Sequence, residues 1–252
     1  MTFGFRDLYR DAWALWQRDR AAILPLAGLF QFVPQWGLLM LVPSAPSAPE
    51  TVDAAAMEAF TAAFTAWIGA HGLWFVAGFA LALFGTLAIV AIEVDRRAAT
   101  VGQAMLHAGG LVLRYFLASL LVVLPASLLV GPALALPAGS LLLGMVVVWL
   151  LARTMLIASI IVAERPVGAV KAITLSWRRT KGRGLMLASV LAVAIVGGQA
   201  VAGAVMRIAE PIAASPVAMA AISGIAALAM TAASLASALL GVAAYRRLPV
   251  LV

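Results

Sequence analysis

The side chains of this chain that are able to do chemistry are few, and most are cationic. Arg153 lies inside a long apolar run, and Arg165, Lys171, Arg178, Arg179, Lys181 and Arg183 crowd the stretch from Glu164 to Gly184, between two such runs. A guanidinium in an apolar segment costs about 2.5 to 3.5 kcal/mol even on the lenient insertion scale, so it must face protein, a wet cavity or a partner. The chemistry that suits it is capture of a phosphate or carboxylate. Gln31, Gln35 and Gln199 sit in other apolar runs and are the amides able to share that ligand. The plainer alternative is a structural arginine satisfied by helix carbonyls, by those glutamines, or by snorkelling.

The basic stretch divides into two halves. Pro166 suits a first helical turn, with Val167, Val170, Ile173 or Thr174, and Trp177 as an apolar edge flanked by Lys171 and Arg178. Thr180 to Gly184 then offers backbone amides and cations to an anion. Each basic residue held near an anionic lipid surface is worth about 1 kcal/mol, which predicts binding to lipid headgroups. Read more plainly, the same charges are a topology signal.

Other chemistries lack their parts. With no cysteine there is no thiol nucleophile, thiolate metal site or disulfide. His71 and His107 have no second histidine or carboxylate three or four positions away, so no metal site is expected. Glu93 and Glu164 each end an apolar run and are expected to pair with Arg96, Arg114 or Arg165; nothing in their spacing converges two carboxylates on a substrate. No serine sits in a nucleophile motif with a histidine. The expectation is no catalytic residue, no metal, no cofactor and no enzyme activity.

The elements that position these residues follow from composition. Of 252 residues 65% are hydrophobic and 11% charged, whereas soluble domains keep about 25% charged residues, so a water-soluble fold is excluded. Apolar windows near 20 residues, the length that crosses a bilayer, recur at about 21–42, 73–92, 111–130, 141–162, 185–206 and 217–244. The reading is one all-α polytopic membrane domain over 1–252, with six transmembrane helices and amphipathic surface helices. Phe3 to Arg20 is the first surface helix, with Phe5, Leu8, Ala12, Leu15 and Trp16 on one face. It lacks the cleavage pattern of a secretory signal, so the first span is expected to be retained as an anchor. Pro25 and Pro34 predict a kink in that span.

Charge placement orients the chain. The external segment 43–72 has no Lys or Arg. Arg6, Arg10, Arg18 and Arg20, then Arg96, Arg97 and Arg114, then the basic loop 164–184, then Arg246 and Arg247 all fall on one side of a six-span drawing. Arg207 alone falls opposite. The positive-inside rule makes the populated side cytoplasmic and puts both termini there. The net charge of +7 therefore reflects membrane topology and does not imply nucleic acid. A surface helix precedes each outward and inward pair of spans, with Asp11 to Trp16, Gln103 to Ala108 and Lys171 to Ser176 in equivalent places. This suggests three tandem units sharing one alanine. Small residues in the sixth span (Ser223, Ala227, Thr231, Ser234, Ala238, Gly241) and the fifth (Gly198, Ala202) permit close helix packing, within one chain or in a homo-oligomer.

From Ala152 to Glu164, and again from Ala169 to Arg183 with Ser176, Trp177, Thr180, Lys181 and Gly182, the chain resembles a family of bacterial multi-pass proteins. That family includes the YciC-like inner-membrane proteins and the membrane domain attached to some glycerophosphodiester phosphodiesterases. The resemblance implies six helices, an arginine in the fourth span, an acidic residue ending it and a bacterial inner-membrane location, and it implies no activity. The His-Arg-Gly motif of a phosphodiesterase domain has no counterpart, since Gly72 follows His71 and Ala108 follows His107. The functional expectation is a non-enzymatic membrane protein that engages anionic lipid, or a membrane or cytoplasmic protein partner, through its basic loop. The alternative is a transporter or lipid translocator with an intramembrane anion site at Arg153.

Overall fold

The computed structural model describes residues 4–47, 49, 53–95, 100–128, 139–164, 166–209 and 215–248. Arg96, Arg97 and Arg165 lie outside the described residues. Among those described, every regular element is helical: α1 (Phe5–Ala27), a π-helical turn (Gly28–Phe32), α2 (Val33–Leu41), α3 (Ala54–Val94) and α4 (Val101–Ser127). After these come α5 (Gly139–Thr154), α6 (Ile157–Ala163), α7 (Ala169–Arg179), α8 (Gly184–Ala209) and α9 (Pro216–Arg247). Six helical stretches are long and apolar enough to cross a membrane. We read the chain as an integral multi-pass membrane protein.

The helices start where the sequence supplies caps. Asp53, Thr100 and Ser215 accept hydrogen bonds from the backbone N–H three residues on, at 2.7, 3.3 and 3.1 Å. Pro216 fills the first position of α9, where a missing N–H costs nothing. The surface helix and first span are joined at Asp19, whose φ of −116° and ψ of 15° interrupt α1. The expected kink in that span takes the form of the π-helical turn between Pro25 and Pro34, both of which remove backbone donors. The turn directs Gln31 and Gln35 to different neighbours. Gln31 donates to the Thr86 hydroxyl at 3.3 Å and Gln35 to the Met230 sulfur at 3.4 Å.

Three expected boundaries change. The external segment expected over 43–72 is helical from Ala54 and continues into the second span as one rod, α3, which carries a ladder of stacked rings (Phe60, Phe64, Trp67) on its outer part. The surface helix expected around Gln103 to Ala108 runs straight into its span as α4, because Gly109 and Gly110 keep helical geometry inside a longer apolar run. The fourth span, expected as one helix, is broken at Met155 and Leu156 into α5 and α6.

The core lies at one end of the bundle, where charged residues also gather; we call it the charged end. Here Leu87 to Ala91 of α3, Ile157 to Val162 of α6 and Leu239 to Ala244 of α9 are almost wholly buried. Close approach rather than bulk hydrophobicity holds such helices together in lipid. A Cβ on Gly241 would stand 2.9 Å from the Met155 carbonyl oxygen, and one on Gly85 would collide with Phe30. Gly198, on the small-residue face expected of the fifth span, packs against Ala229 and Ala233 of α9, which lie off the face expected of the sixth span.

The shared alanines Ala12, Ala104 and Ala172 are all buried. The end of each inward span also pairs with the surface helix of the next unit. Asp95 lies 3.1 Å from His107, Glu164 lies 2.6 Å from Arg179, and Arg247 returns to Asp11 at 2.5 Å. The three contacts close a ring.

Candidate anion site at the charged end of the bundle

Two carboxylates fix the local frame. Glu93, with a fully buried side chain, receives Arg18 at 2.7 Å and Arg246 at 3.2 Å, and Arg246 also donates to the Glu93 main-chain carbonyl. Glu164 receives Arg179 at 2.6 Å and the Tyr245 hydroxyl at 2.9 Å, and the Arg179 guanidinium lies 5.3 Å from the Tyr245 ring centre. The described partners of Glu93 and Glu164 therefore come from α1, α7 and α9, whereas Arg114 is exposed. Sequence distance hid these pairings: Arg18 and Glu93 are 75 residues apart.

Arg179 is therefore a structural residue. Its side chain is 2% exposed, and α7 buries Ala172, Ser176 and Arg179; of the expected apolar edge, Val167 just before the helix is buried, Ile173 packs against the core and Trp177 lies over Arg153. Val170 points outward. The small face wins because it packs into the break between α5 and α6, where the Ser176 hydroxyl donates to the Arg153 main-chain carbonyl at 2.7 Å. The same contact sets the level of Arg153. Counting residues along an unbroken span would place it near the bilayer midplane, but α7 folds back beside it, so Arg153 and the basic loop share one level.

Around Arg153 the two expected binding features become one site. Its guanidinium carbon lies 4.8 Å from the Trp177 ring centre and 6.0 Å from that of Trp149, and the two indoles meet edge to face at 5.3 Å. Trp149 is one helical turn before Arg153, a spacing visible in the sequence that sets the indole beside the guanidinium. Beyond α7, Gly182 takes a positive φ of 79°, a left-handed turn that glycine makes without strain. The turn brings Lys181 and Arg183 to the start of α8. There Gly184 permits close approach, since a Cβ would stand 3.3 Å from both Arg153 Cδ and Trp149 Nε1.

Trp149, Arg153, Lys181, Gly182, Arg183 and the first residues of α8 line an open cavity of about 740 Å³. Three of its lining residues are cations and none is acidic. Arg153 Nε is buried without a hydrogen-bond partner among the described residues. Backbone N–H groups in the first turn of α8 lack intrahelical acceptors and face a dipole that favours negative charge. Such a cavity can hold a tetrahedral or planar oxyanion while the indoles shield one side from water. Leu185, 80% exposed, continues the wall onto the apolar surface of α8.

The remaining expected site residues lie elsewhere. Gln31 and Gln35 are turned toward α3 and α9, Gln199 is exposed on α8, and none of the three lines this cavity. Lys171 and Arg178 are exposed on α7 outside it. No protein-family model, curated protein or solved structure matches the chain.

Proposed function

We propose that the protein is a non-enzymatic integral protein of a bacterial inner membrane, with its charged end toward the cytoplasm, that holds the phosphate of an anionic lipid in the Arg153 cavity. The observation that carries this reading is the meeting of Arg153, Lys181 and Arg183 around one cavity without a lining carboxylate, beside two indoles. Indoles favour the depth of lipid headgroups, and Leu185 gives the acyl chains an apolar path away from the site. Both chain termini fall on the cytoplasmic side in this orientation. The resemblance to the YciC-like family rests on the same residues: Ser176, Trp177, Lys181 and Gly182 all build or support the cavity. Homo-oligomers and protein partners remain compatible with the exposed faces of α7 and α8.

The test is a titration of lipid discs containing anionic or zwitterionic phospholipid. Replacing Arg153, Lys181 and Arg183 together by alanine should weaken the preference for anionic lipid by about 100-fold, at about 1 kcal/mol per charge. An unchanged preference overturns the proposal.

A second reading, a lipid translocator, draws on the break in the fourth span directly after Arg153. Discontinuous helices line the binding sites of many transporters. It predicts lipid flip-flop in reconstituted vesicles that is lost in Arg153→Ala; an equal rate in wild type and variant removes it.

A further inference from the structure

A second cavity, of about 400 Å³, lies within the bundle between α3, α4, α5, α6, α8 and α9. No Lys, Arg, Asp, Glu or His lines it. Its polar groups are hydroxyls, those of Thr86, Tyr115, Ser119, Thr154, Ser159 and the pair Ser234 and Ser237, set among apolar side chains. An ion entering it would lose its hydration without a countercharge. The occupant must be neutral.

The hydrogen bonding narrows the class further. Thr86, Thr154 and Ser237 spend their protons on carbonyls of their own helices, at 2.9, 2.8 and 2.7 Å, and so offer only lone pairs to the cavity. Ser159 is 1% exposed and lines the cavity. It projects from α6, the short helix made by the break in the fourth span. Three hydroxyls that only accept, beside those of Tyr115, Ser119, Ser159 and Ser234, fit a guest that can donate as well as accept, as an alcohol does. The cavity reaches the outer surface of the bundle beside Phe79 and Val123, which line it and are 41% and 49% exposed. Thr86 is about 10 Å along α3 from Glu93 at the charged end, by helical rise, so the hydroxyl cluster lies just inside the apolar zone.

We infer that this cavity binds an uncharged lipid bearing a free hydroxyl, of the diacylglycerol class, with the hydroxyl donating into the Thr154, Ser159 and Ser237 cluster and the tails leaving past Phe79 and Val123. The volume is within the range of small-ligand sites and suits a glycerol backbone with the first part of its chains. The inference does not depend on the Arg153 cavity.

The experiment uses the full chain in lipid discs doped with 1,2-dioleoylglycerol or with its 3-acetate, which keeps the shape and lacks the donor, read by native mass spectrometry. Wild type should retain one dioleoylglycerol per chain and hold the acetate about tenfold more weakly. The Ser159→Ala, Ser237→Ala double variant, which removes two hydroxyls without adding bulk, should lose about tenfold in affinity for dioleoylglycerol and stop discriminating against the acetate. Failure to retain dioleoylglycerol, equal retention of the acetate, or wild-type discrimination in the double variant would each overturn the inference. Anionic phospholipid retained at the Arg153 cavity is read in the same spectra, so the two proposals fail separately.

Discussion

The Ser176 hydroxyl donates to the main-chain carbonyl of Arg153 at 2.7 Å, joining the basic surface helix to the broken end of the fourth span. A carbonyl near a helix break has lost its usual intrahelical donor, and the serine replaces it. The bond also fixes Trp177, the next residue, over the Arg153 guanidinium. Ser176→Ala should cost about 1 kcal/mol of stability and loosen the cavity. The check is thermal unfolding in detergent, with anionic-lipid affinity measured on the same samples; loss of neither would mean that α7 is held by other contacts alone.

The pair of Glu164 and Arg179 should behave as a buried ion pair. Removing the carboxylate strands a buried guanidinium, so Glu164→Gln should destabilise by about 3 to 5 kcal/mol, and Arg179→Met, which leaves a carboxylate that is 26% exposed, by less. The double replacement Glu164→Gln, Arg179→Met should recover much of that loss. A double-mutant cycle in denaturant measures the coupling, and strictly additive effects would contradict the assignment.

Two glycines should respond oppositely to the alanine that ordinarily favours a helix. At Gly241 a methyl group meets the Met155 carbonyl at 2.9 Å, which is backbone and cannot rotate away. Gly241→Ala should cost about 1 to 3 kcal/mol. At Gly37, also helical, a methyl group meets nothing within 4 Å, so Gly37→Ala should be neutral or stabilising by up to about 1 kcal/mol. Comparing the two melting temperatures tests the packing at the break, and equal shifts would contradict it.

The break itself shows what the sequence could and could not reveal. Six spans were legible because hydropathy and the placement of Arg and Lys act at the scale of a whole segment. The stretch Arg153, Thr154, Met155, Leu156 contains neither proline nor glycine, so nothing local announces a break. It depends on Ser176, 23 residues on, and on the close approach of Gly241. Arg153 and the basic loop were both legible as anion-binding features, but their union was not, because it requires α7 to fold back. Arg179 looked like its neighbours Arg178 and Lys181 by composition; only the position of Glu164 turns it inward. The acidic residue ending the fourth span was visible, but its tyrosine partner lay 81 residues away.

The ring of contacts between units gives a further test. Asp11 and Arg247 join the first surface helix to the last span. Exchanging their charges singly, as Asp11→Arg or Arg247→Asp, should speed proteolysis at the charged end, and the double exchange should restore resistance. If the double variant is cleaved as fast as either single one, that ring contact does not hold the ends together.

The central claim is that the cavity, rather than diffuse positive charge, selects an anionic lipid. The most direct measurement is native mass spectrometry of the protein released from lipid discs, comparing wild type, Arg153→Ala and the Lys171→Ala, Arg178→Ala pair, whose exposed cations lie outside the cavity. The account predicts one tightly held anionic phospholipid on wild type and on the Lys171, Arg178 variant, and its loss from Arg153→Ala. Loss from the Lys171, Arg178 variant with retention by Arg153→Ala would contradict it.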